Sequence, residues 1–516
     1  MGRSFQRALM LAVLLASQLT ADIFRWDNQQ LIPGTEGLTV EPGAVLSGLD
    51  LQYAVLENVT NVDFTSSNLA HARLDGSFSG TKLNDATIDN IEIGIAVSGL
   101  PLSLDQLYST RSYQLHQLSG IKLDQSDFVR IDFSSGDFRQ QDLSNAKMNY
   151  TVLDSADFNQ ADLAGIKLVD VWGTGADFSS SNLAGAALDS AIFDNANFTR
   201  ANLAGAGLTE ARLTNANFTD AIINDVDFGG SSLTEQQLQS TASFQSGNLR
   251  GTSFFYAFSV AGWNLSGQDL SYAAFDYMTS TNLESSQLVG ADLTGAIVDN
   301  ANLRGANLGN ANLEFLNGLA TAQLVDAKYN QWTRLPEGFD AASAGMILEP
   351  SPTGDFNADL LVDSADIDFL GGIVSGRLPA QYRRSWLPDS LYDFDNDAKQ
   401  SMSDYYALVN DVLHTSVGDA DLNGMFDSGD LVRVFTAGEY EDEKAGNSGW
   451  ADGDWNADGD FDSGDLVVAF QHGTYEQGEP AMVHAVPEPS TFITLAISLL
   501  FCAKFRKRFQ LACVMR

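Results

Sequence analysis

Two acidic segments near the carboxyl end of this 516-residue chain carry the residue types and the spacing of a calcium site. Each segment has oxygen-bearing side chains at positions 1, 3, 5, 9 and 12 of a twelve-residue loop. Position 6 is a glycine, which lets the backbone make the sharp turn that such a loop needs. The two loops cover residues 419–430 and 454–465. Because so many carboxylates repel one another without a cation, we expect both loops to bind Ca²⁺.

The candidate ligands of these two loops share the spacing of a calcium loop, with position 7 contributing its backbone carbonyl. They are Asp419, Asp421, Asn423, Met425, Asp427 and Asp430 in one loop, and Asp454, Asn456, Asp458, Asp460, Asp462 and Asp465 in the other. A merely solvated acidic loop would not require the glycine or the aromatic residue at position 8, Phe426 or Phe461. Apolar helical sequence follows both loops.

Two further acidic loops, 355–366 and 393–404, match the pattern less well. Their candidate ligands are Asp355, Asn357, Asp359, Asp363 and Asp366, and Asp393, Asp395, Asp397 and Asp404. Leu360 and Ala398 replace the glycine at position 6, and Ser401 stands at position 9 of the second loop. A side chain at position 6 strains a turn that requires positive φ, so we expect these loops to bind calcium weakly or not at all.

The two better loops have Asp at position 12 where a helix–loop–helix EF-hand has Glu, and no convincing helix precedes either of them. This combination resembles dockerin type I modules, which are paired loop-plus-helix calcium units. The resemblance implies that residues 354–480 form a small α-helical calcium-binding module. It also implies a cohesin-like partner that contacts loop positions 10 and 11, which here are Ser428-Gly429 and Ser463-Gly464.

A five-residue period dominates the chain ahead of these loops. Between Leu123 and Leu233, 22 of the 23 positions spaced by five are Leu, Phe, Ile or Met, and Gly173 is the exception. Two residues before each of these positions, 12 of the 23 residues are Ala. Neither a helix nor a flat strand keeps every fifth side chain on one side, but a square coil with four five-residue sides does. We therefore expect a rod of stacked coils with a mainly β fold.

The period resembles that of the pentapeptide-repeat family, which implies a right-handed quadrilateral β-helix. We expect residues 22–60 to cap its first coil, residues 61–339 to form the rod, and residues 340–353 to be a linker. The period is lost near 94–118 and again near 234–263. Both breaks contain Ser/Thr-x-x-Gln, starting at Ser103 and Thr234, which is the capping box of a helix start. We expect short helices there, after which the chain re-enters the coil.

Both ends of the chain have the composition of sorting signals. Residues 1–21 contain basic residues, then a short apolar stretch, and end in a small residue at which a signal peptidase could cleave. This is the composition of a secretory signal peptide. Residues 481–516 resemble a PEP-CTERM signal, with Val486, Pro487, Glu488 and Pro489 ahead of the apolar segment 492–503 and a basic end. The resemblance implies processing by an exosortase-type enzyme in a bacterium and a location in the cell envelope, on the surface or in the extracellular matrix. An uncleaved membrane anchor is the alternative.

The composition restricts the classes of function. The net charge of −39 disfavours binding to nucleic acid, and Cys502 and Cys513 are the only cysteines. The five histidines are scattered, and no catalytic or phosphate-binding motif is present, so we do not expect an enzyme. We expect a secreted structural or adhesion scaffold with a calcium-binding docking module. The alternative is a dockerin-type protein that binds a cohesin-like domain in an extracellular complex, and an extracellular polysaccharide is a further candidate partner. An acidic DNA mimic that inhibits topoisomerases is a further alternative, which the export signal argues against.

Overall fold

The computed structural model describes residues 22–94, 102–123, 131–378, 382, 384–388, 391–442 and 446–476. The chain divides into two compact units, Met1–Tyr405 and Tyr406–Arg516. The predicted signal peptide at 1–21 and the predicted sorting segment at 481–516, with Val486, Pro487, Glu488 and Pro489, lie outside the described residues. Among the residues described, every helix is too short or too polar to span a lipid bilayer.

The rod is a stack of coils, and from Asp132 to Asp227 these coils repeat every 20 residues. Asp137 pairs with Asp157, and Asp157 pairs with Asp177, always in parallel. The amide of Phe158 donates a 2.6 Å hydrogen bond to the carbonyl of Asp177, and the amide of Asp177 donates one of 2.8 Å to the carbonyl of Ala156. Four sides of five residues therefore make one coil, which confirms the predicted square geometry.

The interior of the rod is filled by the residues of the five-residue period. One side carries a column of phenylalanines, in which each ring stacks on the ring one coil further along. The column comprises Phe138, Phe158, Phe178, Phe198 and Phe218, whose ring centroids are 4.8 to 5.1 Å apart. This spacing matches the separation of paired strands, so rings and backbone repeat with the same rise. The alanines of the period are buried beside them.

Gly173, the exception in the period, lies under an aromatic ring. A Cβ atom at this glycine would be 2.8 Å from the ring of Phe193 in the next coil. That ring is nearly perpendicular to those of Phe178 and Phe198, with centroid distances of 5.4 and 5.5 Å. The ring of Phe193 thus occupies the space that a side chain at residue 173 would fill, and the core of the rod is filled there.

Most of the rod is held by isolated parallel bridges, and a few segments form longer strands. These strands are β1 (Val55–Glu57), β2 (Arg73–Asp75), β3 (Glu92–Gly94), β4 (Ser253–Ser259), β5 (Ala274–Tyr277), β6 (Lys328–Tyr329) and β7 (Ile347–Leu348). They pair in parallel in the orders β1–β2–β3, β4–β5 and β6–β7. Parallel pairing begins at Val45 with Asp63, so the first coil starts inside the predicted cap.

Both breaks of the period contain two short helices, as predicted. They are α1 (Leu104–Tyr108) and α2 (Arg111–Gln114), and then α3 (Glu235–Gln239) and α4 (Ala242–Gln245). Ser103 and Thr234 begin α1 and α3 with capping boxes. The glutamine of each box also binds the rod, since Gln237 Nε2 donates to the carbonyls of Leu213 and Ala216 at 2.8 Å. This second contact secures the insertion to the coil beside it.

The expectation of a linker over residues 340–353 is corrected by the structure. Ala341 and Met346 are buried in the core of the rod, and β7 pairs with β6. The segment has no five-residue period, but its apolar residues cover the interior of the last coil, which would otherwise be open to solvent. The chain thus continues the rod beyond residue 339.

The carboxyl-terminal helices follow the acidic loops. In the first unit α5 (Ser364–Ser375) follows the 355–366 loop. Helix α6 (Met402–Ala407) begins at the end of the 393–404 loop, crosses the boundary between the units at Tyr405 and continues into a π-helix, Leu408–Val412, in the second unit. The second unit contains α7 (Ser428–Ala437), a 3₁₀ turn (Trp450–Asp452) and α8 (Ser463–His472). The predicted module at 354–480 is therefore divided, because its first loop pair belongs to the unit that contains the rod.

Candidate metal-binding loops

The 419–430 loop is organised around the carboxylate at its first position. Asp419 Oδ1 accepts a 3.1 Å hydrogen bond from the amide of Asn423, and its Oδ2 accepts one of 2.7 Å from the amide of Gly424. The carboxylate at the last position closes the loop, because Asp430 accepts from the amides of Ala420 and Asp427, both at 2.9 Å. The backbone thus wraps around its own acidic side chains.

All four acidic loops share this hydrogen-bond pattern. The first carboxylate accepts from the position 6 amide in every loop, at 2.7 to 3.0 Å, and the last accepts from the amides of positions 2 and 9. The bonds of the last carboxylate are made by Asp366, Asp404, Asp430 and Asp465. The two loops that match the sequence pattern less well therefore have the same internal geometry as the two that match it better.

Position 6 has positive φ in each loop, whichever residue occupies it. The φ values are 93° and 94° at Gly424 and Gly459, and 75° and 62° at Leu360 and Ala398. The left-handed conformation costs a residue with a side chain about 1–2 kcal/mol. The first loop pair adopts the turn despite this strain, so neighbouring contacts must offset it.

The carboxylates at positions 1 and 12 are buried, except that of Asp393, which is half-buried. Asp355, Asp366, Asp419 and Asp465 are all 0% exposed. Burial disfavours the charged form and raises the pKa of Asp366 to about 7 and that of Asp465 to about 6. Among the described residues, no Lys or Arg forms an ion pair with any of these four carboxylates. A cation bound by the loop would supply the missing positive charge.

The donor set suits a hard cation. Oxygen atoms of Asp419, Asp421 and Asp430 lie within 4.8 Å of one another, and so do those of Asp393, Asp395 and Asp397. In the other two loops position 3 is an amide, Asn357 or Asn456, so fewer carboxylates meet there. Carboxylate and amide oxygens without nitrogen or sulfur ligands are the set that Ca²⁺ prefers.

The predicted ligands at position 9 have a different role in this structure. Asp363, Asp427 and Asp462 are the N-caps of α5, α7 and α8, and each accepts from an amide of its own helix. An N-cap aspartate satisfies a backbone donor that would otherwise lack a partner. The structure thus gathers the first and last carboxylates in the interior of the loop and places position 9 at the start of the helix.

Sequence reasoning missed the rod residues that contact the 355–366 loop. Tyr272 Oη and Asn310 Nδ2 both donate to the carbonyl of Phe356, at 3.1 and 3.3 Å. Asn307 Nδ2 donates to the carbonyl of Ala358 at 3.2 Å. These partners lie 46 to 84 residues from the loop and belong to no motif, so only the folded chain reveals them.

The rod matches a known family. Residues 137–171, 174–206, 196–234 and 286–317 match the family model of pentapeptide repeats, in eight copies. The rod of this chain is therefore built from pentapeptide repeats. Proteins with these repeats form right-handed β-helices. No curated protein matches the chain.

Several solved structures are similar to parts of the chain. HetL, a pentapeptide repeat protein involved in heterocyst differentiation regulation in the cyanobacterium Nostoc sp. strain PCC 7120, is 23% identical, with 46% of this chain and 99% of HetL covered and a TM-score of 0.18. A pentapeptide repeat protein of the Arabidopsis thaliana thylakoid lumen is 33% identical over 21% of this chain and 68% of that one, with a TM-score of 0.11. Trypsin-treated QnrB1, a plasmid-mediated fluoroquinolone resistance protein, is 14% identical, with 41% of this chain and 87% of QnrB1 covered and a TM-score of 0.25.

Proposed function

We propose that this protein is a non-enzymatic scaffold in which a pentapeptide-repeat rod acts as a spacer and the acidic loops bind calcium. Pentapeptide-repeat proteins are generally non-catalytic structural proteins. The observation that carries the calcium proposal is the common fold of the four loops, each with its first and last carboxylates hydrogen-bonded to the backbone around them. When bound, Ca²⁺ would neutralise the negative charge of the buried carboxylates Asp355, Asp366, Asp419 and Asp465.

The residues that would hold the metal are those at positions 1, 3 and 12 of each loop. In the 419–430 loop these are Asp419, Asp421 and Asp430, and in the 454–465 loop they are Asp454, Asn456 and Asp465. The chain's part in binding is to orient these oxygens through backbone amides, as between Asp419 and Gly424. Calcium affinity therefore depends on the loop staying folded.

Calorimetric titration of the calcium-free full-length protein tests this proposal. We expect the double variant Asp419→Asn/Asp454→Asn to lose most of the calcium uptake of the parent, because the first carboxylate organises each loop. The control is Asp162→Asn/Asp177→Asn on the rod, where the next coil already has Asn182 and Asn197 in the same columns. This control should bind calcium like the parent. A parent protein that takes up no calcium would contradict the proposal.

A second candidate function is docking to a cohesin-like protein through the second unit. Val432 and Phe435 of α7 are 66% and 46% exposed, and Val467 and Phe470 of α8 are 52% and 48% exposed. The two pairs occupy equivalent positions of the two similar loops, and exposed apolar side chains are typical of interaction surfaces. Affinity capture with the full-length protein, with and without calcium, should recover a partner that the variant Val432→Asp/Val467→Asp does not bind.

We also propose that the protein is exported by a bacterium and processed by an exosortase-type enzyme, which would place it in the envelope, on the surface or in the extracellular matrix. Support comes from the composition of residues 1–21 and 481–516. An extracellular polysaccharide is a further proposed partner. The net charge of −39 disfavours nucleic acid. We do not propose a DNA-mimic function, because a predicted export signal would separate the protein from topoisomerases.

A further inference from the structure

The first loop pair packs against one flank of the rod within the same unit. Arg384 donates from Nε to the carbonyl of Gly290 at 2.8 Å and from Nη2 to the carbonyl of Tyr272. Trp386 Nε1 donates to the carbonyl of Asn310 at 3.0 Å. The hydroxyl of Tyr382 donates to Asp225. These contacts connect the segment after α5 to residues that span four coils.

Rod side chains also reach into the backbone of the 355–366 loop. They donate to the carbonyls of Phe356 and Ala358, which are positions 2 and 4 of the loop. The candidate ligands Asp355, Asn357 and Asp359 alternate with these two positions. Fixing the carbonyls at positions 2 and 4 therefore also fixes the direction in which the intervening side chains leave the backbone.

The rod makes room for this contact at Gly309. A Cβ atom there would be 2.6 Å from the Cβ of Ala358, a distance that real carbon atoms do not tolerate. The φ of Gly309 is not in the left-handed region, so its backbone would accept alanine. The reason for glycine at this position is the loop that lies against it.

We infer that the rod is part of the 355–366 calcium site, with Tyr272, Asn307 and Asn310 as positioning residues. Their hydrogen bonds hold the loop in its turned conformation and offset the strain at Leu360, which occupies the glycine position with a φ of 75°. This inference rests on the proposed calcium function. Because coupling is reciprocal, calcium bound in this loop strengthens the contact between loop and rod.

The test uses the full-length chain with the other three loops disabled by Asp393→Asn, Asp419→Asn and Asp454→Asn. Calcium uptake in this background, measured by calorimetry, reports on the 355–366 loop. Adding Gly309→Ala should weaken that uptake about tenfold, because the loop must move away from the rod. The control is Gly207→Ala, since the preceding coil already has Ala187 at the equivalent position. This control should leave uptake unchanged.

A second variant removes one hydrogen bond without changing packing. Tyr272→Phe keeps the ring that packs against Phe369 and Tyr382 and deletes the hydroxyl that donates to Phe356. Loss of one hydrogen bond should lower affinity about fivefold. Tyr256→Phe, at a tyrosine that is 61% exposed, should have no effect. The thermal melting of the rod, followed by circular dichroism, should be unchanged in all four variants.

The outcomes separate this inference from the calcium function itself. If the parent protein binds no calcium, the proposed calcium function fails and the inference fails with it. If the parent binds calcium but the background with three disabled loops does not, the inference is wrong and the function remains. The inference is also wrong if Gly309→Ala and Tyr272→Phe both bind as tightly as the background. Weaker binding in both, with unchanged controls, supports it.

Discussion

At the scale of single residues, burial makes the pH dependence of the candidate metal-binding loops unusual. Asp366 and Asp465 are buried and accept hydrogen bonds from backbone amides, and burial raises the pKa of both. In the unfolded chain the same groups would titrate near 3.8. Between these values the folded, metal-free protein keeps protons that the unfolded chain releases. If the loops bind calcium as proposed, protons and calcium compete for the same oxygens.

This competition predicts an unusual pH dependence of stability. In the presence of a chelator, the melting temperature of the protein should fall by several degrees between pH 5 and pH 8, because the folded state must then bear buried charge. Saturating calcium should abolish the fall. Scanning calorimetry at the two pH values measures both effects, and ordinary carboxylates are already ionised over this range. Equal melting temperatures in chelator at pH 5 and pH 8 would refute the prediction.

Asp366→Asn/Asp465→Asn provides the matched variant for this measurement. Because an amide does not titrate, the fall in melting temperature should be clearly smaller in the chelated variant than in the parent, with Asp355, Asp419 and Asp430, whose pKa values burial also raises, accounting for what remains. A fall as large as that of the parent would mean that groups other than Asp366 and Asp465 cause it.

At the scale of elements, the side chains that fit inside one coil are determined by the side chains of the next coil. The five-residue period identifies which side chains point inward, but it does not show why Gly173 interrupts it. The answer lies 20 residues further on, where Phe193 turns across the glycine. Core packing is as dense as that of an organic crystal, so the side chains at residues 173 and 193 must fit one shared space.

Restoring the period at Gly173 should therefore destabilise the rod. We expect Gly173→Leu to lower the free energy of unfolding by ~1–3 kcal/mol, because the new side chain collides with Phe193. Adding Phe193→Ala should recover part of this loss, which is a favourable coupling between the two changes. Thermal melting of the two single variants and the double variant measures the coupling. If the stability effects of the two single changes simply add in the double variant, the two side chains do not compete for the same space.

Local sequence signals identified most of the elements. The period predicts the coils, Ser103 and Thr234 predict the inserted helices, and the acidic spacing predicts the loop geometry, which the structure shows in all four loops. Features that depend on contacts between residues far apart in the sequence could not be predicted from the sequence. Nothing in the spacing of Tyr272 or Asn310 indicates that they hold Phe356, and the buried residues Ala341 and Met346 have no period that would reveal the continuation of the rod.

At the scale of the whole molecule, the sorting signals proposed for the two termini predict where the protein acts. We expect the mature protein to lose residues 1–21 and a carboxyl-terminal segment that includes the apolar stretch 492–503. Mass spectrometry of the protein isolated from its native source should then find no peptide that contains Cys502 or Cys513. Recovery of either peptide from the exported protein would favour a retained anchor.

The stacking of coils also has a mechanical consequence. Hydrogen bonds such as that from Phe158 to Asp177 run along the axis of the rod, so a pull on its two ends loads the junctions between coils in series. In the regular part of the rod, each junction that gives way would release one coil of 20 residues, or about 65–70 Å of extended chain. The coils that contain the inserted helices would release longer segments, and the rod would absorb work at each step. Under tension the rod would therefore absorb energy in as many steps as it has junctions between coils.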